Sequence, residues 1–408
     1  MKEYDVIVIG GGASGMMASI FSARNNNKTL ILEHNEKLGK KLFITGKGRC
    51  NLTNNSSIEN HMENIITNPK FMFSALNFFS PNDVMNFFIN NNCMLKTERG
   101  NRVFPLSDKS SDVIKCLENK LKELSVDVML NSNIEKISKA NNKFNIVLKN
   151  GNSFICSNLI LATGGLSYPG TGATDFGYKI CKQFGHSIVE PKSSLCPIVL
   201  KEDVSSLNGL SLKNVKLTVE VKNKTFNQMG EMMFTYNSIT GPIALTLSSF
   251  LNKFDLQNAR ISLDLKPALS TEQLTKKFLK EFKENSTKDF KNYLKTLLPS
   301  KLLPYFFDRL KIENKKLSQI TRPERDTIIK NLKTLSFTIK KLESIDASIV
   351  TSGGVNIKEI NSKTCESKKG KNLFIVGELL DVDALTGGYN LQIAWSTGAL
   401  AGNSTKRI

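Results

Sequence analysis

Three glycines at fixed spacing, Gly10, Gly12 and Gly15 in "YDVIVIGGGASGMMAS", constrain this chain more than anything else in it. They follow a short run of β-branched residues and precede Met16, Met17, Ile20 and Phe21, which recur at helical spacing. "KTLILE" then supplies a second apolar strand that closes on Glu33. Strand, glycine turn, helix and a second strand ending in an acid make a βαβ unit for a dinucleotide. One glycine allows the tight turn, one lets the backbone approach a pyrophosphate, and one lets the helix pack on the sheet. Ala13 and Ser14 open the helix whose N-terminus faces the phosphates, and Glu33 is placed to accept hydrogen bonds from the adenosine ribose.

The rest of the chain divides by pattern. "NLILATGG" is a strand running into a glycine turn and should rejoin the first sheet. After His186 short alternating segments such as "KLTVEV" indicate a separate β-rich domain, and "TEQLTKKFLKEFKEN" opens a basic helical block. "KNLFIVGELLD" and "GGYNLQIAWSTGALAG" read as a last buried strand, loop and helix that complete the domain begun at the N-terminus. The expected organisation is α/β: a discontinuous Rossmann-like domain over residues 1–190 and 350–408, a β-rich insert over 191–265 and 335–349, and a basic helical subdomain over 266–334.

Composition excludes several classes. The 408 residues, 40% hydrophobic and 23% charged, are enough for two or three domains with a substantial core. Seven scattered cysteines without C-x-x-C argue against disulfides or zinc, and three histidines lack metal-ligand spacing, so no metal is expected. The N-terminal apolar run, Val6 to Ile9, is too short for a signal core or a membrane span, so a cytoplasmic protein with no membrane partner is expected. The formal net charge is +19. Between Lys266 and Ile345, 16 Lys and 3 Arg stand against 9 Asp plus Glu, which is +10 in 80 residues. Such a field attracts polyanions, though biased composition on solvated helices would look the same. Tyr305, Phe306 and Phe307 lie in this block and read as helix core before base-stacking aromatics.

NAD and FAD share the glycine fingerprint, but two further turns favour a flavin. "ATGG" contributes Thr163 and Gly164; "VGELLDVDALTGGYN" contributes Gly377, Glu378, Asp381, Gly388, Tyr389 and Asn390. Glu378 or Asp381 is suited to ribityl hydroxyls, and the helix after Gly388 to the flavin pyrimidine carbonyl. "GKKLFITGKGRCNLTN" has little apolar periodicity. Its Gly46 and Gly48 read as close backbone approach to a cofactor, its Lys40 as a cofactor-binding cation, and Arg49 or Lys47 as the catalytic holder of a phosphate or enolate oxygen, or equally as a holder of the FAD phosphates. Cys50 is a candidate proton donor, or a small packed residue beside the cofactor, and Asn51 a hydrogen-bonding partner of substrate or flavin.

Together with "GGLSYPGTGATDFGYKICKQFGH", "MFTYNSITGP" and "VTSGGVNIKEINSKTCESK", these motifs make nearly the whole chain resemble the YhiN/BaiN-like flavoproteins. The resemblance implies bound FAD, a Rossmann-like domain formed by both chain ends, and an inserted module with β-barrel and helical parts. Asp175-Phe176-Gly177 stands where some members carry Gly-Asp-Gly. Members are described as reductases of conjugated double bonds in steroid-like molecules, as amine oxidases, and as enzymes that reduce a ribosomal RNA uridine to dihydrouridine. The expected activity is therefore an FAD-dependent oxidoreductase. NADPH or NADH is the expected reductant, and ribosomal RNA the leading substrate through the basic insert. The alternative is a small-molecule oxidase or reductase. Oligomeric state is not legible.

Overall fold

The computed structural model describes residues 2–257 and 259–407. These form two compact units, one from Met1–Ser194 with Ile345–Ile408 and one from Leu195–Ser344.

A seven-stranded sheet organises the first unit, in the order Asp127–Met129, Thr29–Leu32, Lys2–Ile9, Ser153–Leu161, Lys143–Leu148, Ile134–Ala140. The first four run parallel and the last two antiparallel. Ser153–Leu161 serves two neighbours on one edge: its first half pairs with Lys143–Leu148, its last three residues with Leu373–Ile375. The chain end thereby enters the sheet begun by the N-terminus. Val6, Ile7 and Val8 are wholly buried, as are all four residues of Thr29–Leu32, because helices cover the parallel strands.

The helix Ala13–Arg24 packs against Tyr389–Ser404 with unusually close backbones. A Cβ on Gly398 would stand 2.4 Å from the Ser14 carbonyl oxygen, and one on Gly402 2.1 Å from that of Ala18. Both contacts fall at i, i+4 spacing, so two glycines on one helix face two small residues on the other. A three-stranded antiparallel sheet of Thr53–Asn54, Arg102–Pro105 and Leu95–Glu98, and a pair of Ile188–Ser194 with Val350–Val355, complete this unit's strands.

In the second unit six antiparallel strands close a barrel: Ile198–Leu200, Ser238–Thr240, Lys224–Phe234, Ser211–Val221, Arg260–Asp264 and Leu335–Leu342, the last pairing with the first. The helices of residues 266–334 share one apolar core with these strands. Thr271–Glu284 starts in a capping box of Ser270 with Gln273 and turns Leu274, Phe278 and Phe282 inward at i, i+4, i+8, leaving its lysines outside. Tyr293 meets Phe278 and Phe282 edge-on at 5.6 and 5.3 Å. The aromatic run lies in this core: Phe306 is fully buried, Tyr305 stacks on Phe337 at 6.1 Å, and Phe307 tilts against Phe290 at 5.7 Å. The unit carries 26 Lys plus Arg against 15 Asp plus Glu, or +11 of the chain's +19. Among the described residues no helix is long and apolar enough to cross a membrane.

Candidate functional site

The glycines of the N-terminal turn differ in their surroundings. Gly10 has φ +106, and a Cβ there would stand 2.5 Å from the Ala162 oxygen. A Cβ on Gly15 would lie 1.9 Å from the oxygen of Gly10 itself, so this glycine permits the helix to sit on the turn. At Gly12 no atom of the described residues comes within 4 Å of that position. Gly12 also caps the helix Ala13–Arg24, and no side chain satisfies that helix end. An uncapped helix end, with its dipole's positive pole, coincides with unfilled space beside Gly12.

Glu33 is buried beside this turn. Its Oε2 accepts the Gly11 N–H at 2.6 Å, and its Oε1 accepts from Asn35 N and Asn35 Nδ2, both at 2.8 Å. Gly11 was not singled out in the sequence, yet its amide holds the acid in place. Lys40 lies at the rim, 3.2 Å from Asn35 Oδ1 and 3.3 Å from Glu36. Its neighbour Lys41, one residue and about 100° further round the helix, points to a different place: its Nζ is 2.7 Å from Ser167 Oγ and 2.7 Å from Glu378 Oε2. A double lysine gives no sign of which cation turns inward.

The segment after Lys41 starts as a helix and then leaves it. Gly46, Lys47, Gly48 and Cys50 all have φ between +56° and +81°, a concentration of left-handed backbone that a sequence bears only where tertiary contacts fix it. A Cβ on Gly46 would approach Asn51 N to 2.9 Å, whereas Gly48 has no neighbour within 4 Å. Lys47 is exposed. Arg49 donates to Asp108 from Nε at 2.7 Å, pairs with Glu98, and lies 4.1 Å over the Phe104 ring. Lys96 joins at 2.5 Å from Asp108, so two cations and two carboxylates form a neutral cluster. Arg49 is thus committed within the protein and offers little field to an external anion.

Cys50 corrects an expectation. A proton donor must touch the carbon it protonates or a relay to it, but Cys50 has no exposed surface and lies in the apolar core. Burial pushes its thiol up to about 12. The packing alternative describes its position. Asn51, with its amide turned to suit its neighbours, accepts from Gly388 N at 3.0 Å and donates to Thr53 O at 3.1 Å and Val103 O at 3.2 Å. The next residues continue this seam: Trp395 Nε1 donates to Leu52 O at 2.9 Å, Thr53 Oγ1 to Gln392 Oε1 at 2.6 Å, and Asn54 Nδ2 to Gly387 O at 3.1 Å. Residues 51–54 are a docking strip for the start of the last helix.

The C-terminal turn is correspondingly occupied by protein. A Cβ on Gly388, φ +103, would stand 2.3 Å from the carbonyl of Thr53. The Tyr389 hydroxyl donates to Asn60 Oδ1 at 3.0 Å, and the Asn390 amide clamps Ala384 N at 3.0 Å and Ala384 O at 2.7 Å. Asp381 accepts from Asn68 Nδ2 at 3.0 Å. Gly377 abuts the first turn of the helix Ala13–Arg24, 2.5 Å from Ser14 Oγ to its would-be Cβ. Asp175 is exposed and pairs with Lys179 at 2.9 Å.

A dinucleotide fits the residues that remain. Gly12, Gly48 and Gly164 each face open space, the helix end lacks a cap, and Thr163 Oγ1 is buried without a hydrogen-bond partner among the described residues. A buried hydroxyl left unpaired carries a desolvation cost that a bound polar group removes. Gly12, Ala13, Ser14, Glu33 and Thr163 are the residues that could hold such a cofactor.

The chain is similar to known proteins along nearly its whole length. The solved 3-ketosteroid-delta4-(5alpha)-dehydrogenase of Rhodococcus jostii shares the fold at a TM-score of 0.50 and 12% identity, covering 99% of this chain and 97% of the other. The ribosomal RNA dihydrouridine synthase of Haemophilus influenzae is 30% identical over 100% of both chains, and that of Escherichia coli 30% identical over 97% of this chain and 96% of its own. The 3-dehydro-bile acid delta(4,6)-reductase of Clostridium scindens is also 30% identical, over 97% of this chain and 98% of its own. Residues 4–404 match the family described as "HI0933-like protein Rossmann domain", and the chain belongs to this family of FAD-dependent oxidoreductases.

Proposed function

We propose that this protein reduces a polarised carbon–carbon double bond and that its substrate is a uridine of ribosomal RNA, converted to dihydrouridine. When bound, FAD would supply hydride-transfer chemistry, with NADPH or NADH as the reductant. The chain's own residues bind and orient: the Gly12, Ala13 and Ser14 amides take the pyrophosphate, Glu33 the ribose, and Thr163 a further polar group of the cofactor. The hydride brings both electrons to one carbon of the uracil C5=C6 bond, and an acid other than the enclosed Cys50 gives a proton to the adjacent carbon.

The observation that carries this reading is the similarity along the whole chain to two proteins named for that reaction. The +11 of the barrel and helical unit supports it, since release of counterions from phosphates by Lys and Arg supplies most RNA affinity. The test compares nucleosides of ribosomal RNA from wild-type and deletion cells. Loss of one dihydrouridine, restored by the intact gene, is expected; an unchanged inventory sinks the proposal. A second reading rests on the bile acid reductase, equally similar at 30% identity. It expects NAD(P)H-dependent bleaching of a dienone chromophore by purified protein, without loss of any modified nucleoside in the deletion.

A further inference from the structure

Lys41 meets two turns that are far apart in sequence and, through one of them, a strand. Its ammonium bonds Ser167 Oγ and Glu378 Oε2, each at 2.7 Å. The other Glu378 oxygen accepts from Ser167 Oγ at 3.1 Å and from Thr351 N at 2.9 Å. Thr351 Oγ1 accepts the N–H groups of Leu166 and Ser167 at 2.9 and 3.2 Å. The turn after "ATGG", the strand Val350–Val355 and the turn at Gly377 are therefore fixed through one carboxylate and one ammonium. These are the turns bearing Gly164, with its open space, and Gly377, against Ser14 of the phosphate-facing helix. Glu378 has both oxygens engaged by protein, Oε2 by Lys41 and Oε1 by Ser167 and Thr351.

We infer that Lys41 and Glu378 are a positioning pair: neither needs to touch the cofactor, and together they hold the turns around it in the spacing FAD requires. The inference rests on the FAD reading above. Loss of Lys41 leaves the Glu378 carboxylate, about a fifth exposed, without its counter-charge; it then draws on solvent or on the Thr163–Ser167 turn, and the turns separate. Partly buried pairs broken on one side cost more than the pair itself is worth.

The experiment titrates FAD into cofactor-free full-length protein, followed by flavin fluorescence, with thermal unfolding of the same samples. Lys41→Met and Glu378→Gln should each weaken FAD binding at least about tenfold, equivalent to about 1.4 kcal/mol. Lys41→Arg should restore most of it, and the double variant should bind better than the product of the two single losses, as for partners in contact. A purely structural role would lower the melting temperature without changing the dissociation constant of the folded protein. FAD affinities within twofold of wild type in the single variants, or multiplicative losses in the double, overturn the inference. If Lys41→Met does not fold, Glu378→Gln, which keeps the side-chain shape, decides by the same criterion. Wild-type protein that binds no FAD removes the cofactor reading itself, a different failure.

Discussion

Two glycine turns open the two helices that pack together in the Rossmann unit, and they differ in what occupies the space a side chain would have filled. At Gly12 no protein atom lies within 4 Å, whereas at Gly388 the Thr53 carbonyl stands at 2.3 Å. Both turns look alike in sequence, as clustered glycines immediately before a helix. The first is open and the second is closed by the chain itself. A glycine in such a turn reports that something approaches closely, without saying whether it is a phosphate or a peptide group.

The comparison breaks most visibly at Gly388→Ala. The new methyl must displace the backbone of Thr53 from a left-handed residue, and we expect about 3–5 kcal/mol of lost stability. Thermal unfolding of cofactor-free protein measures it. A melting temperature within about 2 °C of wild type would show the second turn to be as open as the first. Asn51→Ala comes next: it removes the acceptor of Gly388 N and the donors to Thr53 and Val103. About 2 kcal/mol is expected, because a backbone N–H is left without its partner. Urea unfolding with an unchanged slope and a lowered midpoint would be the signature.

Which parts of this were legible follows from what kind of contact each residue makes. The βαβ unit is local, so strand, turn, helix and the acid at Glu33 could be read from spacing alone. The entry of Leu373–Ile375 beside Ser153–Leu161 was legible as a buried strand near the chain end. Roles set by partners far away were not. Asn51, Tyr389 and Asn390 are polar residues beside glycines, a composition shared by cofactor loops and by turns that bind themselves. Lys41 and Lys40 differ only by a rotation about one helix. Gly398 and Gly402 looked like part of an apolar helix, yet their spacing is what lets the helices Ala13–Arg24 and Tyr389–Ser404 touch.

Cys50 sharpens the comparison between binding and packing. As a buried residue its replacement by Ala should cost about 1 kcal/mol, leave FAD content intact and leave the pH dependence of turnover unchanged. A lost basic or acidic limb in the pH–rate profile would return the thiol to the chemistry. Its titration has a further consequence for stability. The folded state holds the proton up to about 12, the unfolded chain only to about 8.5. Between these values the folded form binds more protons, so stability is full below the unfolded pKa and falls as pH rises, at about 1.4 kcal/mol per pH unit for each such thiol. Cys50→Ala should make the loss of stability between pH 9 and 10.5 shallower.

The smallest effect on the fold, and the most informative for the comparison, belongs to Gly12→Ala. Gly12 has φ −80 and ψ −169, a conformation alanine adopts without strain, and its methyl would meet no protein atom. Cofactor-free protein should therefore unfold within about 0.5 kcal/mol of wild type. The same methyl would occupy the side from which a pyrophosphate reaches the amides of Ala13 and Ser14, so FAD affinity should fall by about tenfold or more. The pair of measurements separates the two turns cleanly: alanine at Gly388 damages the fold before any ligand is added, and alanine at Gly12 damages only the binding. If Gly12→Ala binds FAD as wild type does, the space beside Gly12 has another occupant, and the phosphate-binding role of this turn fails while the fold that presents it stands.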